Sequence, residues 1–514
     1  MQRLARYIIV EKERGNINSG TERRLFDRIL KYTGVFSSVQ GVAMLVTVVM
    51  AKVKSLLLGP VGFGITENLN RTTDIVKNAT NLGIQTVAVP QISQSANESD
   101  QADLLERIMV TRSWALLTAI IGMAVCLALA PVLGRWAFDD TGYAVDFIFL
   151  SLSVAAASVT GGEMAVMKGT KYMRNVALSQ LFASVLSLCI SFPLYWFLRL
   201  DGIIPALVLS ALGTMAVTCF YSFRSYPYRA RPFSRVILQK GLGMIGFGVS
   251  LTVAAFFGAW AWSFIARYLT GKGGAELTGM YSAGYLLVNY LTTFLLSVVD
   301  SEYYPRLSAT VDDREQTYRL MNNQSLAMCM LAAPLVILFM ICIPVVVFVV
   351  LEYEKFQGSI LLAQMAVIGL FFKAVYQPIS YLVLAKSDSR IFLLQEVFCY
   401  ILLIVCAVCG YAFGGMIGLG ISLSVWEFSF LVIVLVVGRL RYGFVMSAKL
   451  VKYFLTQGVL IALAAFCAVY DFSYSLAVSI MLCVMSILIS LRFFSTHTTF
   501  LPLFFARITR RSKD

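Results

Sequence analysis

The chain has 514 residues, of which 59% are hydrophobic and only 14% are charged, whereas an ordinary soluble domain is about 45–50% apolar and about 25% charged. This composition excludes a water-soluble fold. Apolar runs of about 20 residues, the length of a helix that crosses a bilayer, recur along almost the whole sequence. We therefore predict an all-α, polytopic membrane protein with about 14 transmembrane helices.

Taken in chain order, the predicted elements begin with a charged segment at 1–32. The predicted spans are 33–51, 62–88, 111–133, 143–166, 175–198, 202–223, 241–268, 277–299, 325–350, 359–385, 391–412, 415–437, 453–470 and 475–493. We assign the first six to an N-lobe at 33–223 and the next six to a C-lobe at 241–437, joined by a basic linker at 224–240. The last two spans occupy 438–493, and a basic tail follows at 494–514.

The distribution of basic residues predicts the orientation of the chain. An even number of spans puts both termini on one side of the membrane. Of the 42 lysine and arginine residues, 32 lie in segments on that side or at the adjoining span edges, 7 in the opposite segments or at their span edges, and 3 well inside spans. Because basic residues accumulate in cytoplasmic loops, both termini should be cytoplasmic. The same asymmetry accounts for the net charge of +14, so no nucleic-acid partner is implied.

Local sequence patterns recur at a nearly constant offset. Residues 62–64 match 279–281, residues 90–93 match 305–308, and three further pairs follow in the same order, all at offsets between 213 and 218. This offset contains six spans, and six is an even number. The two lobes should therefore share an orientation and be related by a pseudo-two-fold axis along the membrane normal, with the last two spans outside the repeat.

The second predicted span carries many polar side chains on one side. At 100° per residue, an arc of about 120° contains Glu67, Asn70, Arg71, Asp74, Lys77, Asn78, Asn81 and Gln85. A helix covers about 27 Å over this stretch, close to the thickness of the hydrocarbon layer, so the face should line a hydrated passage. The alternative is that Arg71–Asp74 and Asp74–Lys77 pairs merely hold a bundle together.

Further ionisable residues lie in or beside other spans, where each is costly and calls for a reason. In the tenth span, Lys373, Tyr376 and Gln377 share a face, and Lys373 has no evident local counter-ion. Lys54 and Arg267 lie at outer ends of spans, where extension to the lipid headgroups is an equally simple explanation. The acidic residues Glu163, Glu396 and Glu427 could pair with the lysines or carry coupling protons.

Enzymatic chemistry is not indicated. With one histidine, His497, and no nucleophile triad or phosphate-binding loop, the usual acid–base groups are nearly absent. Neither a metal site nor a cofactor is expected.

One motif carries a family resemblance. Residues 54–64, KSLLLGPVGFG, join the first span to the polar second span. This run resembles the signature region of Wzx-type polysaccharide flippases, which belong to the MOP superfamily together with the MATE and MurJ transporters. The resemblance implies a V-shaped pair of six-helix lobes in the bacterial inner membrane. It also implies a cationic central cavity for the pyrophosphate of an undecaprenyl-linked oligosaccharide. Lys77 and Arg267 are similar in position to arginines of the second and seventh helices of MurJ-like members.

We therefore predict a non-enzymatic flippase that moves a lipid-linked oligosaccharide, such as an O-antigen repeat unit, to the outer leaflet by alternating access. The predicted substrate-binding residues are Arg71, Lys77, Lys373, Lys54, Arg267, Asn78, Asn81, Gln85, Tyr376 and Gln377. The predicted ion-coupling residues are Asp74, Glu67, Glu163 and Glu427. The expected partners are membrane lipid and the polysaccharide polymerase machinery. The alternatives are a MATE-like drug/ion antiporter and a non-transporting scaffold for envelope assembly.

Overall fold

The computed structural model describes residues 45–97, 101–140, 142–230, 234–298, 303, 306–307, 310–311, 313–386, 388–470 and 473–497. Several predictions fall on positions outside these described residues: the charged segment 1–32, the beginning of the first span at 33–44, part of the linker at 231–233, two positions of a repeat anchor at 305 and 308, and the tail from 498 to 514.

The described part of the chain is almost entirely helical and contains no β-strand. The helices are α1 (Leu45–Thr80), α2 (Ile84–Asn97), α3 (Gln101–Phe138), α4 (Ala144–Gly169), α5 (Met173–Leu198), α6 (Ile203–Ser225), α7 (Arg235–Val298), α8 (Arg314–Val350), α9 (Gly358–Ala366), α10 (Ile368–Ala385), α11 (Ser389–Val437), α12 (Ala448–Val469) and α13 (Ser475–His497). The predicted all-α class is confirmed.

Ten helical segments among the described residues are long and apolar enough to cross a membrane, so the chain is a multi-pass membrane protein. Some of these segments are interrupted. The backbone leaves the helical conformation at Gly273 and Gly274 in α7 and at Gly414 and Gly415 in α11. Gly59 in α1 has a positive φ, and a 3₁₀ turn at Arg199–Gly202 separates α5 from α6. The count of fourteen spans stays a prediction.

The interruptions repeat along the chain. Gly59 and Gly274 have φ values of +64° and +68°, and their positions differ by an offset of 215. Arg199 and Gly415 have φ values of +53° and +55°, and their positions differ by an offset of 216. Glycine adopts this left-handed region without a steric penalty, whereas Arg199 adopts it as an ordinary L-residue. The backbone therefore repeats at the offset that the sequence patterns predicted.

Contacts at the junction of the two lobes are reciprocal. A Cβ atom on Gly64 would overlap the carbonyl oxygen of Ala275, and a Cβ atom on Gly279 would overlap the carbonyl oxygen of Pro60. Gly64 and Gly279 are separated by the repeat offset of 215, and so are Pro60 and Ala275. The two contacts are therefore equivalent under the repeat. Such an exchange of partners is the mark of a two-fold relation. The structure thus confirms two similar lobes related by a pseudo-two-fold axis.

The predicted continuous helix at 62–88 is wrong, because the helix ends at Thr80 and a new one begins at Ile84. Leu82 and Gly83 have φ values of +51° and +64°. A Cβ atom on Gly83 would lie 2.7 Å from the carbonyl oxygen of Gly248 in α7. The turn thus brings two backbones into direct contact, which only glycine permits.

Each lobe has its own apolar core. One buried cluster includes Leu69, Val154 and Ile203 of the N-lobe, and a larger one is built mainly from residues 261–493. The two C-terminal helices α12 and α13 pack on α8 and on each other. Gln457 is buried there and accepts a hydrogen bond from Ser486 (2.7 Å). The last two helices are therefore attached to the C-lobe.

Candidate functional site

The α1 polar face, defined by Glu67, Asn70, Arg71, Asp74, Lys77 and Asn78, remains partly open in the structure. All six residues are of intermediate exposure, whereas Leu69 and Val76 on the opposite side are buried. The side chains of Asp74 and Lys77 are 48% and 28% exposed. The face is not sealed by packing, as a hydrated passage requires.

Polar contacts from the back of α1 fix the direction of this face. Asn68 donates hydrogen bonds to the carbonyl oxygen of Ala137 (2.8 Å) and to the hydroxyl of Thr270 (3.2 Å). The hydroxyls of Thr72 and Ser263 lie 3.3 Å apart. These contacts hold α1 against α3 and α7. Helix α1 therefore lies at the junction of the two lobes, between α3 of the N-lobe and α7 of the C-lobe.

Arg71 is the most enclosed cation of the α1 polar face. Its guanidinium pairs with Glu67 (2.7 Å) and lies 5.2 Å and 6.0 Å from the ring centres of Trp262 and Tyr281. The Arg71 Nε and the Tyr281 hydroxyl are buried and have no hydrogen-bond partner within the described part of the chain. Lys54 also interacts electrostatically with Glu67. Two hydrogen-bond donors that have no acceptor among the described residues, Arg71 Nε and the Tyr281 hydroxyl, thus lie in neighbouring side chains.

Lys77 lies nearly two turns further along α1. Its ammonium group pairs with Asp74 at 2.9 Å. The alternative pairing that the sequence suggested, Arg71 with Asp74, is replaced by the pair of Arg71 with Glu67.

Lys373 has a counter-ion from another helix, Glu427, which is one of the acids that the sequence offered as partners of the lysines. Its ammonium nitrogen lies 3.5 Å from the carboxylate of Glu427, which also accepts a hydrogen bond from the buried Tyr376 (2.6 Å). The partner belongs to the following helix, α11, so no pattern local to α10 could reveal it.

Aromatic residues link the Arg71 and Lys373 groups. Tyr285 interacts electrostatically with both Arg71 and Glu427. The rings of Trp262 and Trp426 meet edge-on at 5.9 Å. Glu396 lies near enough to Lys373 and Glu427 to interact with both. We call the following set the lobe-junction site: Lys54, Glu67, Arg71, Asp74, Lys77, Lys373, Glu396 and Glu427. It contains four basic and four acidic side chains.

Several predicted site residues lie apart from this set. Arg267 pairs with Asp139 (2.8 Å) and stacks over Trp136 (4.9 Å), where it joins the two lobes. Gln85 packs over Gly161 of α4, and Asn81 lies in the turn after α1. Gln377 donates a hydrogen bond to Tyr381 (3.1 Å). Asn81 and Gln85 therefore do not continue the α1 polar face.

Glu163 lies inside the N-lobe. Its carboxylate pairs with Arg112 at 2.9 Å and accepts a hydrogen bond from Ser222 (2.5 Å), with Arg112 and Glu163 only 1% and 2% exposed. Arg112 also donates to the carbonyl oxygens of Tyr226 and Pro227. Burial, together with the negative charge of Glu163, raises the pKa of the nearby Tyr228 hydroxyl. The sequence analysis did not identify this pair, because hydropathy does not show ion pairs between helices.

These observations describe two pseudo-symmetric lobes that meet at an ionisable site. Residues 49–360 of the chain match the family model described as "Polysaccharide biosynthesis protein". The chain belongs to this polysaccharide biosynthesis protein family. No curated protein that was compared with this chain matches it.

Solved structures show the fold to which this family member is similar. The lipid II flippase MurJ in an inward closed conformation has a TM-score of 0.66 and 13% identity, over 90% of this chain and 98% of that one. An inward-facing multidrug resistance MATE transporter of the MOP superfamily gives 0.60 and 15%, over 81% and 95%. A point mutant of the Vibrio cholerae MATE transporter VcmN gives 0.57 and 16%, over 79% and 95%. The fold is therefore that of MOP superfamily transporters.

Proposed function

We propose that the protein is a flippase. Its substrate would be an undecaprenyl-pyrophosphate-linked oligosaccharide, moved from the cytoplasmic to the outer leaflet of the bacterial inner membrane. Membership of the polysaccharide biosynthesis protein family and the MurJ-like fold support this proposal. The observation that carries it is the partly open α1 polar face between the lobes, with Arg71 and Lys77 on it.

The substrate sets the physical requirement. Moving a sugar chain and two phosphates through hydrocarbon would strip many polar groups of water, at a cost of several kcal/mol for each unpaired group. A polar surface between the lobes avoids that cost, while the lipid tail stays in the bilayer. The polar stretch of α1 meets this requirement because its charged groups remain partly exposed.

The ion pairs suggest how a diphosphate would bind. Arg71, Lys77 and Lys373 each already hold a carboxylate, so phosphate oxygens must compete with Glu67, Asp74 and Glu427. Arg71 and Tyr281 have a buried donor each to offer without breaking a hydrogen bond. Charge-assisted hydrogen bonds to phosphate are about twice as strong as neutral ones. Binding would thus begin at Arg71 and continue by exchange of carboxylates for phosphates.

Alternating access would follow from movement of one lobe relative to the other. The reciprocal contact of Gly64 with Ala275 and of Gly279 with Pro60 lies where the two lobes exchange partners. It could serve as the pivot, since backbones in direct contact keep their separation while the lobe ends move. The predicted association with polymerase machinery stays a prediction.

The test removes each cation together with the acid that it neutralises. In cells that carry Arg71→Ala/Glu67→Gln, Lys77→Ala/Asp74→Asn or Lys373→Ala/Glu427→Gln, lipid-linked sugar should accumulate on the cytoplasmic side. Export should fall by about tenfold or more, because a hydrogen bond to a charged group is worth about 1.5–3 kcal/mol. The measurement is the amount of lipid-linked sugar in each leaflet.

The paired design keeps the result interpretable, since neither member of an ion pair is left without the other. Lys355→Ala/Glu352→Gln removes a matched ion pair (3.0 Å) outside the lobe-junction site and should export normally. Normal export by all three test variants, at equal protein levels, would exclude the cationic mechanism. A loss of resistance to organic cations with normal sugar export would indicate the antiporter instead.

A further inference from the structure

A second space lies within the N-lobe, away from the lobe-junction site. It has a volume of about 690 Å³ and lies between the apolar side of α1, at Ile65 and Leu69, and the beginnings of α4 and α6. This volume falls within the usual range of ligand pockets, about 300–1,000 Å³. Most of its lining is apolar and includes Leu69 and Val208. Two other lining residues, Phe149 and Leu209, are exposed at the surface of the N-lobe, so the space opens toward lipid.

Two carboxylates lie in this otherwise apolar lining. Asp146 is at the beginning of α4, and Asp201 is in the turn before α6. Neither side chain forms a hydrogen bond or ion pair with another described residue. Asp146 is half-buried and Asp201 is exposed, so both carboxylates are accessible to a ligand in the space. They favour a ligand that has both a cationic group and a hydrocarbon part.

The pseudo-symmetric place in the C-lobe is closed. At offsets of 215 and 216, Leu69 and Ile204 of the N-lobe space correspond to Gly284 and Gly420. Cβ atoms on these glycines would lie 2.9 Å and 2.6 Å from the carbonyl oxygens of Ser359 and Leu362. The C-lobe helices thus touch through glycines where the N-lobe helices are held apart. The space is a feature of the N-lobe and not a by-product of the fold.

We propose that this space binds a phospholipid with an ammonium headgroup, for which phosphatidylethanolamine is the simplest example. One acyl chain would lie between α1, α4 and α6, and the ammonium group would lie between Asp146 and Asp201. Arg199 is two residues before Asp201, and its exposed side chain donates one hydrogen bond, to the carbonyl oxygen of Leu57 (3.1 Å). The other guanidinium donors of Arg199 would contact the phosphate. By the distribution of basic residues, this end faces the outer leaflet.

The experiment is native mass spectrometry of the purified full-length protein with added lipids. Phosphatidylethanolamine should bind at least about tenfold more tightly than phosphatidylglycerol of the same acyl chains, because only the former has an ammonium group for the two acids. Asp146→Asn/Asp201→Asn should abolish this preference. Val208→Trp, which fills the space, should weaken binding of both lipids while leaving the acids in place.

The matched control is Asp140→Asn/Glu354→Gln, which removes two exposed acids outside the space and should leave lipid binding unchanged. Equal binding of the two lipids by the wild-type protein would overturn the proposal. So would an unchanged preference in the Asp146/Asp201 variant. Displacement of the lipid by tetraphenylphosphonium, at a concentration below that of the lipid, would assign the space to soluble organic cations and also overturn it. None of these outcomes depends on flippase activity.

Discussion

At the scale of single residues, the structure separates ionisable side chains that hold the fold together from those that remain accessible. Arg112 and Glu163 satisfy each other inside the N-lobe and fix the chain at Tyr226 and Pro227, where α6 leaves the lobe. Arg71, Lys77 and Lys373 are paired as well, but their side chains stay partly exposed. Burial, and not charge alone, distinguishes the two groups.

The buried pair gives a stability prediction. Arg112→Ala leaves the Glu163 carboxylate buried without its cation, which typically costs about 3–5 kcal/mol. We expect a clear fall in the thermal unfolding temperature of the purified protein. The double variant Arg112→Met/Glu163→Leu should recover much of the loss, because no unpaired charge remains.

An exposed pair provides the comparison. Arg319 and Glu315 also lie 2.7 Å apart, yet both are exposed, and such surface pairs contribute about 0–1 kcal/mol. Arg319→Ala should therefore leave the unfolding temperature nearly unchanged. If Arg112→Ala were tolerated equally well, Glu163 would have to be reconsidered as a residue that changes its protonation during transport.

The sequence predicted part of the site at this scale. Helical periodicity alone identified the α1 polar face from Glu67 to Asn78, because those residues lie on one uninterrupted helix. It could not identify Glu427 as the partner of Lys373, or Glu163 as the partner of Arg112, because these pairs join different helices. Pairing between helices depends on tertiary packing, to which a single-helix pattern is insensitive.

At the scale of elements, glycines decide where helices stop and how closely they approach. Hydropathy located the apolar segments, but it did not predict the turn at Leu82 and Gly83, since the whole stretch 62–88 reads as one span. The turn depends on contact with Gly248, which belongs to α7 and is distant in the sequence. A non-local contact thus changed the helix that local composition predicted.

The reciprocal glycine contact can be tested directly. In Gly64→Ala or Gly279→Ala, the new Cβ atom would overlap a carbonyl oxygen of the other lobe, so the lobes must separate. We expect less cross-linking by a short bis-maleimide between cysteines placed at Asp139 and Arg267, whose side chains pair across the junction. The exposed Cys189 and Cys409 would be replaced first.

The control for this experiment is Gly271→Ala, since a Cβ atom there meets nothing within 4 Å. Its cross-linking should equal that of the parent protein. Unchanged cross-linking in the Gly64 and Gly279 variants would mean that the lobes absorb the added atom without moving, and the pivot would then have to be sought elsewhere.

At the scale of the whole molecule, the sequence predicted two similar lobes and an appended pair of helices, and both are present among the described residues. Both predictions rest on features of the whole sequence, namely the repeat offset and the number of apolar segments. An error in the boundary of one predicted span changes neither of them. The orientation in the membrane still depends on the distribution of lysine and arginine alone.

Orientation can be measured with single cysteines in a cysteine-free background. A cysteine at Asp140 or Glu354 should react with a membrane-impermeant maleimide added to intact cells. A cysteine at Arg229 or Glu315 should react only after the membrane is permeabilised, because basic residues concentrate on that side. The reverse pattern would invert the proposed direction of transport.

The balance of four basic and four acidic groups at the lobe-junction site has an electrical consequence. In the proposed flippase, the three ion pairs Arg71–Glu67, Lys77–Asp74 and Lys373–Glu427 would carry no net charge through the membrane field when the unloaded protein reorients. Reorientation with bound substrate is different. Each negative phosphate charge that moves outward is stabilised by about 2.3 kcal/mol per 100 mV of inside-negative potential. Voltage would therefore accelerate export without delaying recovery of the empty protein.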